Sequence, residues 1–260
     1  IRNLNLYSSA ILKTMDIFTA AKSAKESAKT LALFSTEEKN GILKKIAEKI
    51  AEHKKTILAA NKNDIVRGKE KDLDLGLLDR LLLDEKRIDG IVNEIENVIA
   101  LKDFVGEVME DRTMPNGLHL QRIRVPIGLV AMIYEARPNV TVDATVLCIK
   151  SGNAIVLKGG SDALETNKAL VEAIKEALPS SISDAVTFID STDRNILQEL
   201  LQLRGIIDVV IPRGGKGLID FVAEHSKIPV IETGASVVHI YIDEYANMEK
   251  AAALIINAKL

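Results

Sequence analysis

The chain has one cysteine, Cys148. An internal disulfide is excluded, which fits a reducing compartment. It also has no apolar run near the ~20 residues that cross a bilayer. Its first residues, IRNLNLYSSAILKT, lack the sustained apolar core of a signal peptide. A cytoplasmic location without a membrane partner is the expectation. Neither sign of charge dominates: 34 Lys and Arg stand against 37 Asp and Glu, interspersed, for a net charge of -3. There is no basic field to attract nucleic acid and no polybasic segment for an anionic membrane. His53, His119, His225 and His239 show no metal-ligand spacing with one another or with Cys148, so no metal is expected. Known chemical fingerprints are missing too. IPRGGKGL has no Ser or Thr after its lysine and the wrong glycine spacing for a P-loop, and neither G-x-G-x-x-G nor G-x-S-x-G occurs. With no clear Mg²⁺ carboxylate constellation either, a kinase is disfavoured, and nothing suggests a serine hydrolase. Internal repeats, low-complexity tracts and flexible linkers are also lacking.

What remains is a chain of 260 residues, 47% hydrophobic and 27% charged, long enough to bury a substantial core. Residues 1–14 precede the first strong pattern and are expected to be an extraneous or disordered extension. From Met15 to about Leu101 apolar residues recur at helical spacing, as in ILKKIAEKIAEHKKTIL, and Ser35 with Glu38 forms a capping-box pair. A helical part over 15–106 follows. Pro115, Asn116 and Gly117 then mark a turn between two extended segments, a β-hairpin over 107–125. Over 126–260 short apolar strands alternate with helical patterns: LVAMIY, AIVL, AVTFID, IDVVI and IPVIE are the strands. Continuous apolar strands in such alternation imply an α/β fold, a Rossmann-type open parallel sheet with helices on both faces. Ligands of such sheets bind at the carboxyl ends of the strands.

Three loops lie at those ends. AIVL runs into Lys158, Gly159, Gly160 and Ser161; IDVVI runs through Pro212 into Arg213, Gly214, Gly215, Lys216 and Gly217; LVAMIY runs into Glu135, Ala136, Arg137, Pro138 and Asn139. Glycines let a backbone approach a phosphate, the N–H groups of a following helix point at it, and a basic side chain adds charge. Two such loops in one sheet predict a phosphate-bearing ligand.

RVPIGLVAMIYEARPNVTVDATVLCIKSGNAIVLKGGSDA, with VIPRGGKGLIDFV and IPVIETG, resembles the gamma-glutamyl phosphate reductases of the aldehyde dehydrogenase superfamily, from about Met15 to Lys259. The resemblance implies an NADPH-dependent reduction of gamma-glutamyl phosphate to glutamate-5-semialdehyde in proline biosynthesis, releasing phosphate. It assigns Lys158 to the adenosine ribose, with Gly159 and Gly160 in the same cofactor loop. The small, neutral Ser161 stands where NAD-preferring relatives carry a glutamate, which suits the 2′-phosphate of NADP. Gly214 and Gly215, beside Arg213, would lie near the pyrophosphate, and Asn139 would stabilise the oxyanion. Arg137 is a candidate substrate contact, and Glu232 has a cofactor-side or structural role. The hairpin 107–125 implies a homo-oligomer, and a glutamate 5-kinase is an implied partner. The family's nucleophilic cysteine sits in a TQRP-type segment after INAK, whereas here IINAK, Ile255 to Lys259, is followed by Leu260 alone. Cys148, on the apolar side of a helical pattern, is expected to be buried and inert. The catalytic domain is therefore expected to be absent, and the chain to be the cofactor-binding portion, inactive alone. The other possibility is a non-catalytic dinucleotide-binding or interaction protein derived from that family.

Overall fold

A computed structural model describes residues 16–232 and 239–259. The expected extension over 1–14 and the Thr233–Gly234 end of IPVIETG lie outside the described residues. Five helices come first: α1 (Ile17–Leu31), α2 (Thr36–Glu52), α3 (Lys54–Glu70), α4 (Leu75–Leu81) and α5 (Glu85–Ala100). Their starts are set by side-chain caps. Ser35 and Glu38 close the anticipated capping box on α2, and Asp16, Asp74 and Asp84 accept from the first turns of α1, α4 and α5.

The hairpin follows as β1 (Val108–Thr113) and β2 (His119–Ile123), antiparallel, with Thr113 opposite His119 and an irregularity between Val108 and Glu110. Gly117 takes φ +87° in the turn, a conformation glycine adopts without the Cβ penalty. Every residue of β2 is exposed. The hairpin pairs with no other strand among the described residues.

The α/β part runs β3 (Leu129–Tyr134), α6 (Asn139–Lys150), β4 (Ala154–Gly159), α7 (Leu164–Glu176), β5 (Val186–Phe188), α8 (Arg194–Leu201), β6 (Val209–Arg213), α9 (Lys216–His225) and α10 (Met248–Lys259). The sheet order is β5-β4-β3-β6, all parallel. The expected strand IPVIE is realised as a single parallel bridge, Val230 to Val210. Helices α6 and α7 cover one face, backed by α2, α3 and α5, while α1 covers the other with α8 against it and α9 packs on β6. Both faces are thus buried, which is why β3 and β4 read as unbroken apolar runs. One continuous cluster of buried apolar side chains extends from Ile17 on α1 to Ile228, joining the helical layer to the sheet.

Polar ties reinforce that junction. Asp64 of α3, fully buried, accepts from the Thr166 N–H at 2.8 Å and the Thr166 hydroxyl at 2.6 Å, and pairs with Arg67. Buried Asn61 bridges the Leu81 carbonyl and the Leu83 N–H, each at 2.8 Å. Lys39 pairs with Asp103 at 2.5 Å out of solvent, and the Asp103 carboxyl stays below its usual range because hydrogen bonds from Lys39, Val105 and Thr36 outweigh the opposing effect of burial.

Candidate functional site

Strand order decides where the carboxyl-end loops open. β3 and β6 are neighbours although β4 and β5 lie between them in the chain, so the connections leaving them depart toward opposite faces. A crevice forms at such a switch point. Glu135, Ala136 and Arg137 enter it from β3, and Arg213, Gly214 and Gly215 from β6. With Leu77 and Arg80 of α4 they line a cleft of about 280 Å³. A second cavity of about 430 Å³ shares Arg80 and Arg137 with the first and adds Glu94 of α5 with Asn139 and Asp143 of α6.

The turn after β3 is held in an uncommon shape. Ala136 has φ +27°, in the left-handed half of conformational space that costs an L-residue on the order of 1 kcal/mol or more. Pro138 then fixes φ at -58° and serves as N-cap of α6. The Glu135 N–H donates to the Arg213 carbonyl at 3.1 Å, which ties the two sides of the crevice together. Within it, the Gly215 N–H at the start of α9 donates to Glu135 Oε2 at 2.8 Å. A Cβ on Gly214 would lie 2.5 Å from that same oxygen, so glycine is what lets the carboxylate approach. Sequence reasoning placed a ligand phosphate at Gly214 and Gly215; the structure puts the chain's own carboxylate there.

The β4 loop is built differently. Lys158 is half-buried at the strand end, and its ammonium donates to the Gly159 carbonyl at 3.0 Å. Burial pulls its pKa below 10.5, opposed in part by Asp190, which itself pairs with Lys168 at 2.8 Å. No carboxylate among the described residues forms an ion pair with Lys158. Gly159 is buried, and a Cβ there would collide with Asn167 and come within 3.3 Å of the Tyr134 hydroxyl. Its missing side chain therefore makes room for protein rather than for a ligand. Gly160 lies against the backbone of Glu135 and Ala136, which brings this loop beside the cleft. Ser161 is exposed and next to Asp162, whose charge is met by Lys71 at 2.9 Å. The N-terminus of α7 is closed to an anion, because Asp64 already occupies it.

Beneath the loops lies a buried polar chain. Tyr134 meets the Thr141 hydroxyl at 2.6 Å, Thr141 donates to Asn167 Oδ1 at 2.9 Å, and Asn167 Nδ2 has no partner. Burial pushes the Tyr134 phenol well above its ordinary range. In the second cavity Asn139 Nδ2 donates to Asp143 Oδ2 at 2.9 Å, leaving one amide hydrogen for another acceptor. Burial holds the Asp143 carboxyl above its usual range, Asn139 opposing and Glu94 adding to it.

Two further residues lie outside both cavities. Cys148 is half-buried rather than fully buried, yet it packs on the core, and burial pushes its thiol up to about 12. Nine helical positions separate it from Asn139, roughly 14 Å along α6, and its carbonyl accepts from the Asn153 N–H at the amino end of β4, opposite the loops of the cleft. Glu232 is exposed just past the Val230 bridge and lines neither cavity. Sequence reasoning missed Arg80 and Asp64, which reach their places from elements 50 or more positions away and carry no local signal. Glu135 stood in a loop already singled out; a carboxylate beside two arginines and two glycines was the available clue.

Similarity to known proteins agrees with this architecture. The aldehyde dehydrogenase family model matches residues 5–260. A curated gamma-glutamyl phosphate reductase from Geobacillus sp. (strain WCH70) is 49% identical over 94% of this chain and 60% of its own length. The solved gamma-glutamyl phosphate reductase of Thermotoga maritima superposes with a TM-score of 0.85 at 48% identity, covering 93% of this chain and 59% of that one. The Saccharomyces cerevisiae enzyme of the same name gives 0.77 at 31% identity, covering 93% and 62%. The chain thus spans about 60% of the length of the curated relatives it matches. With a parallel sheet of matching topology, a crevice at its switch point and a family match over almost every residue, this chain belongs to the aldehyde dehydrogenase family.

Proposed function

We propose that this chain forms the cofactor-binding portion of an NADPH-dependent reductase that converts gamma-glutamyl phosphate to glutamate-5-semialdehyde, inorganic phosphate and NADP, a step of proline biosynthesis. The observation that carries the reading is Lys158, a half-buried cation with no ion-pair partner among the described residues at the end of β4, whose loop reaches the switch-point cleft through Gly160. A desolvated, unneutralised ammonium favours hydroxyl and phosphate oxygens of a ligand. When bound, the dinucleotide supplies hydride.

The chain's residues divide the remaining work. Lys158 binds the adenosine ribose. Ser161 leaves space for a 2′-phosphate, and the Lys71 charge offsets that of neighbouring Asp162. Arg213 and the Gly214–Gly215 backbone hold the pyrophosphate once Glu135 gives up the Gly215 N–H. Asn139 offers its second amide hydrogen to the oxygen of the reacting carbonyl, where a preorganised donor is worth most. Glu232 keeps a cofactor-side or structural role. Cys148 is not the nucleophile, because it sits at the wrong end of α6 with a thiol pushed up to about 12. The chain alone therefore binds cofactor without turning substrate over. The exposed apolar residues of the hairpin, Val108, Met109, Leu120 and Ile123 among them, serve association with a second copy, since an isolated two-stranded sheet is marginal in water.

Titration with NADPH and separately NADH, followed by cofactor fluorescence, tests the reading. Saturable binding that prefers NADPH and weakens in Lys158→Ala supports it. Absence of binding by the folded chain removes the cofactor assignment and leaves an interaction protein.

A further inference from the structure

The junction of the two cavities holds a feature that cofactor binding does not absorb. Arg80 and Arg137 line both the switch-point cleft and the Asn139 cavity, whereas Arg213 lines only the cleft. Neither Arg80 nor Arg137 has an ion-pair partner among the described residues. Three nearby carboxylates are engaged elsewhere, Glu135 with the Gly215 N–H, Asp79 with Arg87 at 2.6 Å and Asp143 with Asn139 at 2.9 Å, while Glu94 lines the Asn139 cavity without forming an ion pair to either arginine.

The backbone that carries each arginine is also held in place, although both side chains are exposed. Arg80 stands in the last turn of α4, and the next residues are pinned from two sides. Buried Asn61 bonds Leu81 and Leu83, and Arg87 donates to the Leu82 carbonyl at 2.8 Å. Arg137 is set between the left-handed Ala136 and Pro138, and its carbonyl accepts from the Val140 N–H at 3.1 Å. Two guanidiniums without ion-pair partners among the described residues, lining one open junction, suit a phosphoryl group, since planar forks match phosphate oxygens in pairs. Beside Asn139, that phosphoryl group is one attached to the reacting carbonyl.

We propose that Arg80 and Arg137 clamp the phosphoryl group of the acyl phosphate, and hold inorganic phosphate after it departs. The proposal rests on the function proposed above and adds the residues that select an acyl phosphate over an unphosphorylated acid. Calorimetric titration of the chain with inorganic phosphate, with and without saturating NADP, tests it, using Arg80→Ala, Arg137→Ala and the charge-retaining Arg80→Lys. Saturable phosphate binding that persists with NADP bound is expected. Each alanine variant should weaken it at least tenfold, Arg80→Lys less, while NADP affinity stays within twofold. Displacement of phosphate by NADP, or equal weakening of both ligands in the variants, would give the arginines to the cofactor and overturn the proposal. NADP binding without any phosphate binding overturns it while the proposed function stands. Binding of neither ligand removes both.

Discussion

The loops after β4 and β6 look alike on the page, Lys-Gly-Gly-Ser and Arg-Gly-Gly-Lys, yet their helices are served by different carboxylates. At α7 the acceptor is Asp64, fully buried and fixed by Arg67 and both donors of Thr166. At α9 it is Glu135, exposed, contributing one bond to Gly215. The first arrangement is a permanent part of the core. The second can be exchanged with solvent or with a ligand at little cost. A Gly-Gly turn before a helix therefore announces an anion without saying whether the anion belongs to the protein.

The sharpest test of that contrast is stability. Asp64→Ala should lower unfolding free energy by about 3 kcal/mol, because it strands buried donors and a guanidinium. Glu135→Ala should cost less than about 1 kcal/mol. Denaturant melts of the two variants check this, and equal losses would dissolve the distinction. Next in size is Lys158→Ala, expected to weaken NADPH binding about 10–100-fold while leaving the melt unchanged. Smaller, and opposite in sign, is Glu135→Gln. Removing a carboxylate that competes for the Gly215 N–H should tighten NADPH binding about 3-fold, measured by the same titration. An unchanged or weaker affinity would mean that Glu135 is part of the bound state.

The smallest effect concerns pH. The Asp143 carboxyl sits above its ordinary 3.8 in the folded chain, so the folded state holds its proton more tightly than the unfolded one. Its contribution to stability is therefore greatest below that value and falls as pH rises through the raised pKa. Asp143→Asn should flatten this slope in melts taken between about pH 3 and 7.

Much of the fold was legible because its signals are local. The Ser35–Glu38 capping box, the Pro115–Gly117 turn and the unbroken apolar strands β3 and β4 each depend on neighbours in sequence. IPVIE pairs more briefly than its apolar run implies, as one parallel bridge of Val230 to Val210 made by the Pro229 carbonyl and the Ile231 N–H. The three loops were found by composition, but the roles within them were not. Gly159 reads as a ligand glycine until Asn167 is seen filling its missing Cβ. Arg80 and Asp64 enter the region through tertiary packing, which no spacing rule encodes.

Asp64 has one more consequence. It resides on α3, yet the helix it starts belongs to the α/β part, so the two layers share a bond that neither can replace from its own sequence. A chain beginning at Pro126 would keep every strand of the parallel sheet and still begin α7 with unmet donors against a face stripped of its apolar cover. The N-terminal helices and the sheet are thus one folding unit, and severing the chain between Asp64 and Thr166 takes from α7 the acceptor at its start.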